Sequence, residues 1–470
     1  MLTVPRVVIA APGSGHGKTS VATGLLAALR RRGLAVSPHK VGPDYIDPSY
    51  HALAAGRAGR NLDPWLVGEE RIVTLFGHGV RTPVPADIAV IEGVMGLFDG
   101  ASVSGGGDFA STAHVARLLD APIVLVIDAS GMSSSVAALL HGFATYDPRA
   151  RVAGVIFNQV GSDYHADLLR GAVEPLGLPV LGVVRRQEAL AVPSRHLGLI
   201  PASERRPEAQ QAVDALATVV GASVDLDAVL HIAAGAGELS DPADAGQDRP
   251  ASPATRTPAP AARIALAAGA AFTFGYAEHP ELLTAAGAEV VGFDPLHDEA
   301  LPPDVDAVVI GGGFPEIHAA ELSANAALRG EVARIAATGA PVIAECAGLL
   351  YLARTLDGRA MCGVLDLDTA MTNRLSLGYR DALAATDSPV AAAGSRVRGH
   401  EFHRTAVTTA GVPANAWTWE ARGSTVAEGF VRGNVHASYL HTHWSGSPGT
   451  AGRLVAAARR HRTARLAALR

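Results

Sequence analysis

Val8-Ile9-Ala10-Ala11-Pro12-Gly13-Ser14-Gly15-His16-Gly17-Lys18-Thr19 decides how the chain is read. An apolar, strand-like opening runs into a glycine-rich loop, then Gly-Lys-Thr, and residues 21–32 continue as a helical pattern. In such a loop the backbone N–H groups, backed by a helix N-terminus, cradle a polyphosphate. Gly13, Gly15 and Gly17 let the backbone close on the phosphates, Lys18 reaches the β/γ-phosphates, and the Thr19 hydroxyl ligates Mg²⁺. Pro12 stands where the full Walker spacing has its first glycine. A plain turn explains the glycines but not Lys-Thr at the point where the helix starts. The stretch predicts a binding site for ATP as co-substrate, with Mg²⁺ as cofactor.

Outward from this loop, short β-branched runs at 6–10, 87–92, 123–128, 152–158 and 180–184 alternate with helical stretches such as 20–32 and 109–119. That alternation predicts an α/β fold with a parallel sheet covered on both faces. Ligands on such sheets bind beyond the carboxyl ends of the strands, so the residues of interest belong there. Residues 236–262 lose hydrophobic period and fill with Pro, Ala, Gly and Asp, which predicts a semi-extended linker. Strand patterns resume at 264–268, 289–293, 307–310 and 342–344. The expected organisation is a P-loop synthetase domain at 1–235, the linker, a second α/β domain at 263–455, and a basic helical tail at 456–470.

A chain of 470 residues exceeds one core, and 48% hydrophobic with 18% charged residues fits buried α/β protein. The net charge of −6 argues against nucleic acid as a partner. Two cysteines, Cys346 and Cys362, exclude a disulfide framework and fit a reducing compartment. No apolar run reaches the ~18–20 residues a bilayer span needs, and no leader pattern opens the sequence. A soluble cytoplasmic protein without membrane partners is expected, with a homodimer as the candidate assembly.

Three further features fall near strand ends of the first half. Lys40-Val41-Gly42-Pro43-Asp44-Tyr45-Ile46-Asp47-Pro48 offers Asp44 and Asp47 in a proline-stiffened loop, able to hold Mg²⁺ or orient a substrate. The competing reading is a turn. Ala89-Val90-Ile91-Glu92-Gly93 is an apolar strand ending in an acid, the pattern of a second Mg²⁺ ligand, with Asp99 within reach of the same loop. Asn158, taken to close the strand 152–158, has an amide that suits an adenine edge.

In the second half, Val342-Ile343-Ala344-Glu345-Cys346-Ala347-Gly348 reads as strand, sharp turn and helix, the elbow that lifts a nucleophile above a sheet. Ala344 replaces the usual first glycine of that elbow. Val309-Ile310-Gly311-Gly312-Gly313 opens a strand into glycines whose N–H groups, at Gly312 and Gly313, suit an oxyanion hole. A general base near neutral pH calls for histidine, with His436, His441 and His443 as candidates.

The GSGHGKT loop, KVGPDYIDP, VIEGVMGLFDG, FNQV and SRHLGL (194–199) together resemble the cobyrinic and hydrogenobyrinic acid a,c-diamide synthases. Their synthetase domain is similar to dethiobiotin synthetase. The second half resembles the class I glutamine amidotransferases attached to cobalamin-pathway amide synthases, through Gly-Gly-Gly-Phe-Pro-Glu (311–316), Glu-Cys-Ala-Gly (345–348), Gly378-Tyr379-Arg380, 399–403 and Tyr439-Leu440-His441. The resemblance implies ATP- and glutamine-dependent amidation of the a- and c-acetate groups of a corrinoid tetrapyrrole acid through an acyl phosphate. It also implies Cys346 as nucleophile and His441 as base. Most class I enzymes carry Glu two residues after that base; His443 stands there instead, leaving the third triad member open. The rival readings are amidation of another tetrapyrrole, such as nickel-sirohydrochlorin or the cobyric acid step, and a P-loop ATPase switch.

Overall fold

In the computed structural model all residues are described except 102–106, 187–193, 196–197, 200, 203–204, 241–260, 410–413 and 469–470, with backbone alone at 194–195 and 198–199. The chain forms two units, Met1–Ser252 and Pro253–Arg470.

The first unit is built on β1 (Arg6–Ala10), β2 (Val36–Val41), β3 (Arg60–Leu62), β4 (Ile88–Glu92), β5 (Ile123–Asp128), β6 (Val152–Val160) and β7 (Val180–Arg185). The order is β3-β2-β4-β1-β5-β6-β7 and every neighbouring pair is parallel. Val7, Val8 and Ile9 of the central β1 are fully buried, as a sheet covered on both faces requires. Helix α1 (Lys18–Arg31) begins directly after Gly17, and the expected helix at 109–119 narrows to Thr112–Leu118. Ser111 caps the latter, its hydroxyl accepting from His114 N at 3.1 Å. Helix α1 packs so tightly on the helix Arg206–Ser223 that a Cβ at Gly24 would lie 2.4 Å from Val220 Cγ2.

Two strands of this sheet, β2 and β3, carry no apolar run that betrays them; β2 reads Val-Ser-Pro-His-Lys-Val yet is buried throughout. The strand expected to end at Asn158 instead continues to Val160. Gln159 adopts φ 60, a local irregularity that lets Val160 pair with Arg185. The linker expected from 236 also starts later: Leu239 bridges to Leu2, and Gly237 O accepts from the Arg6 guanidinium. Residues 241–260 of that linker, and His196 and Leu197 of the SRHLGL string, lie outside the described residues. The rest of that string forms a small antiparallel pair, β8 (Ser194–Arg195) with β9 (Gly198–Leu199).

The second unit holds β10 (Ala262–Ala267), β11 (Ala288–Phe293), β12 (Ala307–Ile310) and β13 (Val342–Glu345). With β20 (Phe430–Arg432) and β21 (Val435–Ser438) they form a sheet in the order β11-β10-β12-β13-β21-β20, antiparallel only at β20. Alternate residues feed two cores. Val308, Ile310, Val342 and Ala344 pack with Leu328, Val332 and Ile335; Ala307, Val309 and Ile343 pack with Leu454, Val455 and Ala458. Those last three lie on the helix Gly449–Ala468, which runs unbroken through the expected boundary at 455/456. Its basic residues also engage this unit, Arg462 bonding to Ala261 O and Arg465 to Asp306.

A second sheet was not legible as strands in the sequence. It comprises β14 (Thr355–Leu356), β15 (Arg359–Ala360), β16 (Asp368–Ala384), β17 (Arg396–Val407), β18 (Trp417–Ala421), β19 (Ser424–Glu428) and β22 (His441–Thr442). The long antiparallel pair β16/β17 brings Tyr379 opposite His400 and Arg380 opposite Gly399.

Candidate active sites

The phosphate loop is shaped by two constraints on Gly17. It adopts φ 88, and a Cβ there would lie 2.1 Å from Asn158 Nδ2; only glycine meets both. Asn158 Nδ2 donates to His16 O at 3.1 Å, and His16 Nδ1 accepts from Asp128 N at 2.9 Å. The amide expected to read an adenine edge thus ties the loop to the ends of β5 and β6. Lys18 is buried, its Nζ donating to Gly13 O at 2.9 Å and to Met95 O. Burial, then the charge of Lys40, lowers its pKa to about 8.

Behind the loop lies an acidic cluster. Thr19 Oγ1 donates to Glu92 Oε1 at 2.7 Å and approaches Asp47 Oδ2 at 3.2 Å. Glu92 ends β4, and Asp47 opens α2 (Asp47–Ala55). Between the two carboxylates sits Lys40, whose Nζ donates to Asp47 Oδ2 at 2.7 Å, Glu92 Oε1 at 2.8 Å and Gly93 O at 3.1 Å. His51 Nε2 stands 2.7 Å from Glu92 Oε2. Burial, then the Asp44 charge, pushes the Asp47 carboxyl up to about 7. Burial also acts to raise Glu92, but Lys40 and His51 outweigh it and hold that carboxyl far below its usual range. Lys40 opens the quoted 40–48 string but was not singled out there, and neither was His51, because the partners that give them meaning lie on other elements.

The other two acids serve the loops. Asp44 Oδ1 accepts from the N–H groups of Ile46 (2.7 Å) and Asp47 (3.0 Å), the turn role that competed with substrate binding. Asn61 pins the same loop, donating to Gly42 O (2.8 Å) and Asp44 O (2.7 Å). Asp99 Oδ2 accepts from Gly96 N at 2.8 Å, which folds the loop after β4 onto the phosphate loop, where Leu97 N reaches Ala11 O at 2.9 Å.

Among the described residues no group of three or more His, Cys, Asp or Glu side chains is arranged to hold a metal. Two carboxylates and a hydroxyl beside a phosphate cradle nonetheless suit Mg²⁺, which takes one or two carboxylates and completes its shell with water and substrate phosphates. Thr19, Asp47 and Glu92 therefore fit the ion.

In the second unit Cys346 follows β13 at φ 50, the strained position of an elbow, and its N–H donates to Ser438 O at 2.7 Å. Gly348 permits the turn: a Cβ there would sit 2.4 Å from Ile310 O. Ala344 lies inside β13, paired with Ile310 and Ala437, so the missing elbow glycine falls where a side chain is tolerated. Burial, then the Glu316 charge, pushes the Cys346 thiol up to about 12, so a base must take its proton. Cys362 is a buried core residue.

The three histidines separate clearly. His436 is buried against Trp417, with ring centroids 5.1 Å apart. His443 packs on Tyr276 with tilted rings, centroids 4.2 Å apart, and lies 3.6 Å from Glu278 Oε2. His441 opens β22 opposite His400, and its Cε1 would lie 2.4 Å from a Cβ at Gly312, so its ring overlies the glycine turn. Burial, then neighbouring His400, lowers its pKa to about 3, leaving a neutral imidazole. His441 Nδ1 is also 3.9 Å from Glu345 Oε2. Glu345 Oε1 accepts from Thr442 Oγ1 at 2.7 Å, and burial raises this carboxyl to about 7.

Of the two glycines expected to serve an oxyanion hole, Gly312 is otherwise engaged. Its N–H donates to Phe274 O at 3.1 Å in a bridge that also returns Phe274 N to Gly312 O. Gly313, at φ 157, is fixed by close approach, since a Cβ would lie 2.1 Å from Ala271 O. A cavity of about 450 Å³ opens in this unit, lined by Arg374, His403, Thr405, Glu428 and Tyr439 among others. The Glu428 and Glu345 charges both act on the Cys346 thiol.

Comparison with known proteins matches both halves. Residues 7–200 fit the model of the CobQ/CobB/MinD/ParA nucleotide binding domain, and 263–449 that of the CobB/CobQ-like glutamine amidotransferase domain. The chain is 57% identical to the hydrogenobyrinate a,c-diamide synthase of Streptomyces coelicolor, over 96% of this chain and 97% of that one. It is 55% identical to the same-named enzyme of Mycobacterium tuberculosis, over 97% and 98% of the two chains. The cobyrinate a,c-diamide synthase of Gloeobacter violaceus is 45% identical over 96% of each. With a nucleotide-binding half and a glutamine amidotransferase half along its length, the chain belongs to the a,c-diamide synthase family of amidating ligases.

Proposed function

We propose that this enzyme amidates the a- and c-acetate carboxylates of hydrogenobyrinic acid, using ATP and glutamine. The observation that carries the reading is full-length identity of 53–57% to relatives named for the cobalt-free acceptor, against 42–45% to those named for cobyrinate. A carboxylate oxygen is a poor leaving group, so the first unit transfers the ATP γ-phosphoryl to it, giving an acyl phosphate and ADP. Ammonia then attacks the acyl carbon and phosphate departs. Lys18 and the loop N–H groups hold the phosphates; Asn158 keeps the loop on its strands. Thr19, Asp47 and Glu92 would hold Mg²⁺, which would supply charge neutralisation to the phosphates. Asp44 and Asp99 fix the loops that face the acceptor.

In the second unit His441 takes the Cys346 proton as sulfur attacks the glutamine amide carbon. The C–N bond breaks, NH₃ leaves with that proton, and water releases glutamate from the thioester. The Gly313 N–H is the oxyanion donor we retain, and Glu345 the acid that orients His441. The cavity lined by Arg374 and Glu428 suits the charged ends of glutamine. A cytoplasmic setting without nucleic acid fits the net charge of −6 and two cysteines, and a homodimer is the assembly to look for by sedimentation. The test is mass spectrometry of product formed from cobalt-free and cobalt-loaded acceptor with ATP, Mg²⁺ and glutamine. Preference for the cobalt-free acid supports the reading; turnover of the cobalt-loaded acid alone overturns it.

A further inference from the structure

Lys40 occupies the point on which the metal-binding oxygens converge. Its ammonium lies within 2.7–3.1 Å of Asp47 Oδ2, Glu92 Oε1 and Gly93 O, and Thr19 Oγ1 contacts the same two carboxylate oxygens. The lysine is 4% exposed and Glu92 1% exposed, so if either moves away the other stays buried with one opposite charge fewer, Glu92 on His51 and Thr19, Lys40 on Asp47. A divalent ion needs those oxygens at ~2.0–2.1 Å, a distance that a resident ammonium does not leave open.

The charges reinforce the conflict. With both carboxyls ionised, Asp47 and Glu92 bring two negative charges, while Lys40 in contact and Lys18 nearby bring two positive ones. Added alone, a divalent cation would leave this buried cluster with an uncompensated charge of two. Added with a triphosphate, it brings its own counter-charge, and the phosphates offer the displaced ammonium new acceptors.

We propose that Lys40 is an internal counter-ion that competes with the divalent metal for Asp47 and Glu92, so that metal enters this site only together with nucleotide. The inference rests on the reading of this cluster as the Mg²⁺ site, but not on the identity of the acceptor. Lys40 thereby keeps two buried carboxylates compensated between turnovers and makes metal entry conditional on the triphosphate.

The experiment is Mn²⁺ titration of the full-length protein followed by electron paramagnetic resonance, with and without a β,γ-imido ATP analogue. Wild type without nucleotide should show no Glu92-dependent Mn²⁺ site, and the analogue should create one. Lys40→Met, which keeps the stem and removes the charge, should bind Mn²⁺ without nucleotide at least about tenfold more tightly than wild type, and Glu92→Gln added to it should abolish that binding. A wild-type protein that binds Mn²⁺ without nucleotide as tightly as with it, and loses it on Glu92→Gln, overturns the proposal. So does a folded Lys40→Met protein that binds no Mn²⁺. Should Lys40→Met fail to fold, the wild-type and Glu92→Gln arms still decide. An enzyme that amidates normally yet binds Mn²⁺ without nucleotide defeats this inference alone and leaves the proposed function standing.

Discussion

Glu345 precedes Cys346, the proposed nucleophile, accepts two hydrogen bonds from Thr442 and lies 3.9 Å from the His441 ring. Burial raises its carboxyl to about 7 from an unfolded value near ~4.3. Between these values the folded protein holds a proton that the unfolded chain has lost, so this group's contribution to stability is present below about pH 4 and disappears as pH rises through about 7. Glu345→Gln should therefore lose less stability than wild type between pH 5 and 8, by up to a few kcal/mol, read from denaturant midpoints at the two pH values. Equal losses in the two proteins would contradict the assignment. The same variant should lower glutaminase kcat by roughly 10–100-fold with little change in KM if Glu345 orients the base. At the other site Lys18→Ala should stop amidation with either nitrogen source, measured as product per enzyme, because it removes the cation proposed to hold the β/γ-phosphates. Residues with a chemical signature, such as Lys18, Thr19, Glu92 and Cys346, could be picked from the sequence by their spacing. Lys40, His51 and Glu345 could not, because their significance lies in partners 7 to 97 positions away.

At the scale of elements, the shape of the loop proposed to hold phosphate depends on Gly17, which combines a positive φ with close approach to Asn158. Gly17→Ala adds a methyl 2.1 Å from Asn158 Nδ2 and forces a left-handed alanine, so ATP affinity should fall by at least about tenfold. Calorimetric titration reads this directly, and unchanged affinity would mean that the loop is not held by β6. The central strands of both units were legible because each is a short apolar run. β2 was hidden by Pro38, His39 and Lys40, and β16 by Thr372, Asn373, Arg374 and Ser376, which leave no run and no clean alternation. Their pairing is decided by partners far along the chain, β16 with β17 and β2 with β4. The end of β6 was misjudged because a bulge at Gln159 has no sequence signal in isolation.

At the scale of the molecule, the proposed mechanism divides one synthesis between the two units: activation of an acid in the first and release of ammonia in the second. The phosphate loop and the cysteine elbow made that division readable from sequence, while the antiparallel sheet that carries His441 and the Arg374 cavity was not foreseen. Cys346→Ser should lose glutamine-dependent amidation and keep amidation with ammonium salts, since it touches only the nitrogen supply. The most direct measurement follows ¹⁵N from amide-labelled glutamine into a cobalt-free tetrapyrrole acid by mass spectrometry, with ATP consumption recorded in parallel. The account predicts label at both acetate positions in step with ATP use, lost in Cys346→Ser and replaced by unlabelled nitrogen when ammonium is supplied. ATP consumption with no nitrogen entering the tetrapyrrole from either donor would contradict it.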